Sequence, residues 1–158
     1  MTSEPTRAKL CLVCSSGGHL FELLSLKSLW EDPARDHFWV TFPTPDAKSL
    51  LAGEDVVWAH HPTNRNIPNL IRNRILAKRV LKERRPDVVL STGAGVAVPF
   101  LRGAKRAGAR SIYVESITRI TELSLSGRML YRAVDRFFVQ WPELAERFDR
   151  AEYAGRIL

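Results

Sequence analysis

The turn Ser15-Ser16-Gly17-Gly18-His19 joins an apolar run to a helical pattern. Glycines let the backbone approach a ligand, and the start of the following helix offers free N–H groups and a positive dipole end. Ser16, Gly17 and Gly18 therefore suit a phosphate group, and a neutral imidazole at His19 can act as a general base. A plain strand-to-helix turn with an exposed histidine fits the same residues.

A second glycine turn, Thr92-Gly93-Ala94-Gly95, also lies between a predicted strand and a helix. Val98 stands where a dinucleotide fingerprint needs its third glycine, and no Walker A lysine follows either turn. Thr92, Gly93 and Gly95 could form a second phosphate-facing turn, and an ordinary structural turn explains them equally well.

A group of polar residues follows the predicted strand Arg110 to Glu115. Glu115 at its end could bind a sugar hydroxyl or act as a base, with Ser116 and Arg119 beyond it. Capping, or pairing with Arg119, is the structural alternative. The sequence has no Asp-x-Asp motif, no nucleophile elbow and no set of metal ligands, so we expect no metal.

The net charge of +7 comes from one segment, residues 64–85, which holds eight basic residues and one acidic residue. Pro68 suits the start of a helix to about Arg84, with an apolar stripe of Leu70, Leu76, Ala77, Val80 and Leu81. Ile71 and Ile75 fall outside this stripe, among the cations Arg72, Lys78, Arg79 and Lys82. Exposed apolar residues on a basic face favour an anionic bilayer surface. Nucleic acid and a merely solvated helix face are the alternatives.

The elements that position these residues alternate between strand and helix, which predicts an α/β fold with a parallel sheet and helices on both faces. Ligands bind beyond the carboxyl ends of such strands, where both glycine turns fall. Six strands are predicted: Lys9 to Ser15, His37 to Phe42, Val56 to Ala59, Asp87 to Ser91, Arg110 to Glu115, and Arg136 to Gln140.

The domain organisation is simple: residues 1–8 are predicted to be a disordered tail, and residues 9–158 one Rossmann-like domain. The polar start and the absence of an apolar run of about 20 residues predict neither export nor a membrane span. Cys11 and Cys14 lie in the first predicted strand, so we expect buried core thiols in a cytoplasmic protein.

Three motifs together resemble a known family: residues 11–20 (CLVCSSGGHL), residues 86–95 (PDVVLSTGAG), and the C-terminal set YVES, Arg119, SGRMLY and VQW. The chain is similar to the Alg14-like subunits, including the PssD-type proteins of polysaccharide biosynthesis. The resemblance implies the N-terminal half of a GT-B glycosyltransferase such as MurG. That half faces the membrane and a polyprenyl-diphosphate acceptor, while a separate partner chain holds the UDP-sugar donor.

The resulting hypothesis is an acceptor-binding subunit of a two-component hexosyltransferase, inactive alone and peripheral on the inner face of the membrane. The two glycine turns would hold the acceptor diphosphate, His19 and Glu115 would be catalytic, and Ser116 and Arg119 would bind the acceptor sugar. No cofactor is expected on this chain. The alternatives are a non-catalytic anchor that activates the partner, a nucleic-acid-binding Rossmann-like domain, and an enzyme that uses a free nucleotide.

Overall fold

The computed structural model describes residues 7–157, whose seven strands form one fully parallel sheet in the order β3-β2-β1-β4-β5-β6-β7. The predicted fold class is confirmed, and a seventh strand forms in a tail that the sequence left unassigned. The strands are β1 (Ala8–Cys14), β2 (Arg35–Thr41), β3 (Val56–Trp58), β4 (Val88–Gly93), β5 (Arg110–Val114), β6 (Arg136–Val139) and β7 (Ala151–Tyr153).

Seven α-helices connect these strands within residues 7–157. The pattern from His19 to Glu31 predicts one helix, but the chain bends at Leu26, whose N–H bonds the carbonyl of Leu23 instead of continuing the α-helical ladder. The helices are α1 (Gly18–Ser25), α2 (Lys27–Trp30), α3 (Pro45–Leu50), α4 (Ile67–Arg84), α5 (Ala97–Ala104), α6 (Leu125–Leu130) and α7 (Pro142–Arg147).

Both faces of the sheet are covered by helices, which buries alternate strand residues on opposite sides. Helices α1 and α3 pack with Leu12, Cys14 and Trp39 on one face. Helices α4 to α7 pack with Cys11, Val13 and other side chains on the second face. Both cysteines are free and fully buried, as predicted, and burial raises the pKa of the Cys14 thiol to about 12.

Helix α4 is fixed at its first turns by asparagines rather than by apolar residues alone. Asn66 caps the helix by accepting a hydrogen bond from the N–H of Asn69 at 3.0 Å. The buried side chains of Asn69 and Asn73 bond the backbone of Pro62 and His60, respectively, at 2.8–2.9 Å. The loop before the helix is thereby tied to it.

The predicted disordered tail, residues 1–8, falls mostly outside the described part of the chain, because residues 1–6 are not described. Ala8 begins β1 one residue earlier than the sequence predicts, and a guanidinium nitrogen of Arg7 lies 3.7 Å from the carboxylate of Asp36.

Candidate functional site

An open cleft of about 330 Å³ lies at the carboxyl ends of the central strands. Chain connections leave β1 and β4 in opposite directions there, the position at which open α/β sheets bind ligands. Its walls come from the loops at residues 63–65, 94–95 and 116–119, from β5, and from helices α1, α4, α5 and α6, so residues distant in sequence meet. Among the lining residues are His19, Arg65, Gly95, Thr118, Arg119 and Leu125.

His19 is held in one orientation by the end of β4. Its Nδ1 lies 2.7 Å from the carbonyl oxygen of Thr92, and the Thr92 hydroxyl donates to the carbonyl of His19 at 2.6 Å. A carbonyl can only accept a hydrogen bond, so Nδ1 carries the proton of the neutral ring and Nε2 keeps a free lone pair. The half-buried ring can therefore accept a proton at Nε2, as a general base must.

Thr92 and Gly93 of the second glycine turn hold His19 in place. A Cβ atom at Gly93, where φ is +119°, would lie 2.8 Å from Cε1 of His19. The N–H of Gly93 bonds the hydroxyl of Ser91, and its carbonyl accepts from the N–H of Ser15. Thr92 is fully buried and committed to His19. Of the three phosphate-binding candidates in this turn, Gly95 lies on the cleft.

The first glycine turn departs from the prediction. Ser16, Gly17 and Gly18 do not line the cleft, and the N–H of Gly17 donates to the carboxylate of Asp46 at 3.1 Å. That carboxylate takes one of the N–H groups that we expected a phosphate to use, and its negative charge repels an anion. The structure therefore does not support a diphosphate site on Ser16–Gly18.

Glu115 is also placed differently from the prediction, because its side chain is fully buried and does not reach the cleft. One carboxylate oxygen accepts from the N–H of Ser116 at 3.0 Å and from Tyr113 at 3.3 Å. The other accepts from the N–H and hydroxyl of Ser124 at 2.9 and 3.0 Å. These bonds fix the N-cap of α6, so we correct the catalytic assignment of Glu115 to a positioning role.

The two residues predicted to bind the acceptor sugar have different surroundings. Ser116 borders the cleft but is 7% exposed, and its hydroxyl donates to the buried carboxylate of Glu22 at 2.9 Å. Arg119 is exposed on the cleft and forms no salt bridge with the described residues. Ser116 therefore cannot donate to a sugar, whereas Arg119 can contact an anionic or hydroxyl-bearing ligand.

Arg65 and Glu22 were not identified from the sequence, and neither was Thr118, which lines the cleft. Arg65 lines the cleft with a left-handed backbone (φ +53°), and within residues 7–157 it also has no salt bridge. Its position just after β3, at the carboxyl edge, was the available signal. Glu22 lies three residues after His19 and hence on the same side of α1, which was a weaker signal.

Helix α4 begins beside this cleft. Ile71 and Ile75 are 54% and 65% exposed, so the prediction that they lie outside the core is confirmed. The predicted stripe was wrong at Leu70, which is 42% exposed and lines the cleft, while Asn69 and Asn73 take buried positions. The predicted membrane-facing cations are all exposed: Arg72, Lys78, Arg79 and Lys82.

Across residues 7–157, no helix combines the length and apolarity that crossing a bilayer requires. No cluster of three or more His, Cys, Asp or Glu side chains in that part of the chain is arranged to hold a metal ion.

Comparison with known proteins gives the family. Residues 64–157 match the family described as "Oligosaccharide biosynthesis protein Alg14 like". The chain belongs to the Alg14-like family. Two relatives in this family are named UDP-N-acetylglucosamine transferase subunit ALG14. The Mus musculus protein is 29% identical over 95% of this chain and 83% of its own length. The Yarrowia lipolytica protein is 31% identical over 93% and 80%.

The fold of this Alg14-like chain matches one half of a larger enzyme. Acinetobacter baumannii MurG superposes with a TM-score of 0.70 at 18% identity, over 86% of this chain. The match spans only 42% of the MurG chain. At this identity the likeness concerns the fold, and it agrees with the predicted N-terminal half of a GT-B glycosyltransferase.

Proposed function

We propose that this chain is the acceptor-binding subunit of a UDP-N-acetylglucosamine transferase. Two relatives are named as subunits of this transferase, and the match covers most of their length. A second chain would supply the half that binds the UDP-sugar, and the acceptor would be a polyprenyl-diphosphate-linked saccharide at the inner face of the cell membrane. The observation that carries the proposal is the cleft at the sheet's carboxyl edge. An oriented His19 lines it, together with two arginines that form no salt bridge within residues 7–157, beside the start of a basic helix with exposed apolar residues.

In the proposed reaction, His19 acts on the acceptor hydroxyl. As the hydroxyl oxygen forms its bond to the anomeric carbon of the donor sugar, the bond from that carbon to the diphosphate of UDP breaks. UDP leaves with the electron pair, and the hydroxyl proton passes to Nε2 of His19. The Thr92 carbonyl favours this step because its bond to Nδ1, at 2.7 Å, stabilises the imidazolium that forms.

Arg65 and Arg119 are better suited than the first glycine turn to bind the acceptor diphosphate. Both side chains line the cleft and are exposed there, whereas Gly17 already bonds the carboxylate of Asp46. Guanidinium groups bind phosphate oxygens through paired, charge-assisted hydrogen bonds. We therefore propose these two arginines, with Gly95 beside them, as the diphosphate site.

The lipid part of the acceptor would leave the cleft toward the membrane. Leu70 and Leu125 line the cleft and are 42% and 76% exposed, and Ile71, the next residue of α4, is 54% exposed. Each nearby cation at an anionic membrane surface contributes about 1 kcal/mol, so several hold a protein loosely in place. In this arrangement the cleft opens at the surface where a lipid-linked substrate resides.

The test is a reconstitution with the purified donor-binding chain from the same organism, UDP-N-acetylglucosamine, and a short-chain polyprenyl-diphosphate-linked saccharide in detergent. We expect transfer when both chains are present and none with either alone. Full activity of the donor-binding chain alone would contradict the proposal and favour the role of a membrane anchor. Loss of transfer in Arg65→Ala and Arg119→Ala through a raised acceptor KM would support the diphosphate site.

A further inference from the structure

Glu22 is a buried carboxylate that joins helix α1 to the loop after β5. Its side chain is 4% exposed, and Oε1 accepts hydrogen bonds from the hydroxyl of Ser116 at 2.9 Å and the N–H of Ile117 at 3.1 Å. Among the described residues, Oε2 has no hydrogen-bond partner. Burying an incompletely bonded carboxyl group costs stability, so the fold alone gives little reason for a glutamate at this position.

The Oε1 atom of Glu22 fixes the direction of a chain of hydroxyl groups. The Oε1 atom of Glu22 accepts from the N–H of Ile117 and from the hydroxyl of Ser116, so the one proton of Ser116 points to Glu22. The contact of 3.2 Å between the hydroxyls of Ser116 and Thr118 must then be donated by Thr118. The N–H of Thr118 also points to the Ser116 oxygen, at 3.4 Å.

Thr118 is exposed and lines the cleft. Because its proton is used internally, its hydroxyl oxygen offers lone pairs to a ligand and no donor. His19 has the same polarity, since its Nδ1 bonds the Thr92 carbonyl and leaves Nε2 as an acceptor. The cleft thus presents two acceptors, which suit the hydroxyl groups of a sugar and disfavour a second anion beside them.

We propose that Glu22 is a positioning residue that, through Ser116, makes Thr118 a hydrogen-bond acceptor for a hydroxyl of the acceptor sugar. The proposal rests on the proposed function and adds a determinant of acceptor specificity to it. Glu22 does not contact the substrate, and its effect is expressed through the direction of two hydroxyl protons.

The test uses the reconstituted two-chain complex and separates the acceptor KM from kcat. Replacing Thr118 by Val removes one hydrogen bond to an uncharged hydroxyl, so we expect the acceptor KM to rise roughly three- to tenfold with a smaller change in kcat. Thr118→Ser keeps the acceptor and should behave like the parent chain. Glu22→Leu frees the Ser116 proton, lets Thr118 act as a donor, and should raise KM by a similar factor.

A double substitution distinguishes an effect of Glu22 that acts through Thr118 from a general disturbance of the structure. If Glu22 acts through Thr118, then Glu22→Leu adds little to the KM of Thr118→Val, whereas independent effects would multiply. Glu22→Gln is the matched control, because its amide oxygen can accept both bonds and keep the direction of the chain. Ser116→Ala breaks the same relay outside the helix, so it provides the measurement if Glu22→Leu does not fold.

The outcomes separate this proposal from the function on which it rests. No transfer by the parent complex would overturn the proposed function itself. Transfer with an unchanged acceptor KM in Glu22→Leu and Ser116→Ala, or multiplicative effects in the double variant, would overturn the role of Glu22 and leave the function intact.

Discussion

The Nδ1 atom of His19 lies 2.7 Å from the carbonyl oxygen of Thr92, and the hydroxyl of Thr92 donates a hydrogen bond of 2.6 Å to the carbonyl of His19. This pair of bonds joins two turns that are 73 residues apart in sequence. It explains why the second glycine turn matters even though Thr92 and Gly93 do not line the cleft, since the Thr92 carbonyl sets the tautomer and direction of the candidate base.

Substitution of His19 gives the first prediction. His19→Asn keeps a side-chain N–H for the Thr92 carbonyl but has no atom equivalent to Nε2. We expect kcat of the two-chain complex to fall about 10²- to 10⁴-fold, the range typical of a lost general base, with little change in thermal stability. His19→Ala should lose similar activity. Near-normal turnover in either variant would remove the base assignment and leave His19 as a structural residue.

Gly93→Ala should inactivate the site although His19 itself is unchanged. The new Cβ would lie 2.8 Å from Cε1 of His19, and φ at this position is +119°, which side chains rarely adopt. We expect the ring to shift, activity to fall at least tenfold, and the free energy of unfolding to drop by about 1–3 kcal/mol. Steady-state kinetics and urea unfolding measure the two effects.

Gly108→Ala is the matched control for this substitution. Its φ is +80°, yet a Cβ there meets no atom within 4 Å. Both glycines have a positive φ, while the contact with His19 is absent at Gly108. Retained activity in Gly108→Ala together with lost activity in Gly93→Ala attributes the loss to the ring. Equal losses in both would point to general instability instead.

Membrane association by α4 gives a third prediction. Ile71 and Ile75 are more than half exposed on a helix rich in cations. Replacing both by Ser should weaken binding to vesicles that contain anionic lipid at least tenfold, because two apolar side chains lose their buried environment. Flotation of the folded chain with vesicles of defined composition, over a salt series, provides the measurement.

Leu50→Ser is a suitable control, because Leu50 is 52% exposed on α3, away from the basic helix. We expect its vesicle binding to match that of the parent chain. Replacing Lys78, Arg79 and Lys82 by Ala should weaken binding by about fivefold for each charge removed. Unchanged flotation in every variant, with tight salt-dependent binding to DNA, would instead support the nucleic-acid alternative.

The sheet and its edge could be predicted because local signals dominate there. Apolar runs alternate with helical patterns, and the glycine turns follow β1 and β4, so their meeting at one edge follows from a parallel sheet. The exposure of Ile71 and Ile75 could be predicted equally well, because successive side chains of an 18-residue helix are separated by a fixed angle around its axis.

The hydrogen bonds of the site could not be predicted, because they join side chains that are distant in sequence. The carboxylate of Asp46 reaches Gly17 across 29 positions, and nothing in either turn signals it. Glu115 is buried because Ser124 and the absence of a side chain at Gly127 leave space for it; a Cβ at Gly127 would lie 2.1 Å from its carboxylate. Asn69 and Asn73 likewise occupy positions where helical periodicity favours apolar residues.

The acid stability of the fold gives the last prediction. A carboxylate oxygen of Asp135 accepts from the N–H of Ser111 at 2.8 Å and from its hydroxyl at 3.0 Å. The backbone N–H, and then the hydroxyl, hold the pKa of Asp135 below its usual range. A lowered pKa in the folded state means that the stabilisation is present above the unfolded value, about 3.9, and is lost as the pH falls through the folded value.

Asp135→Asn should therefore unfold at a lower temperature than the parent chain at pH 7. The difference should narrow as the pH falls below about 3.9, where the unfolded parent chain takes up a proton at Asp135, and should be lost below the lower folded pKa of this carboxyl. Thermal unfolding at pH 7, 5 and 3 checks this. Asp36→Asn is the control, since that exposed carboxylate meets Arg7 at 3.7 Å, a distance at which surface ion pairs contribute little. A difference for Asp135→Asn that stays constant from pH 7 to 3 would show that the amide geometry, and not the charge, weakens the link between β5 and β6.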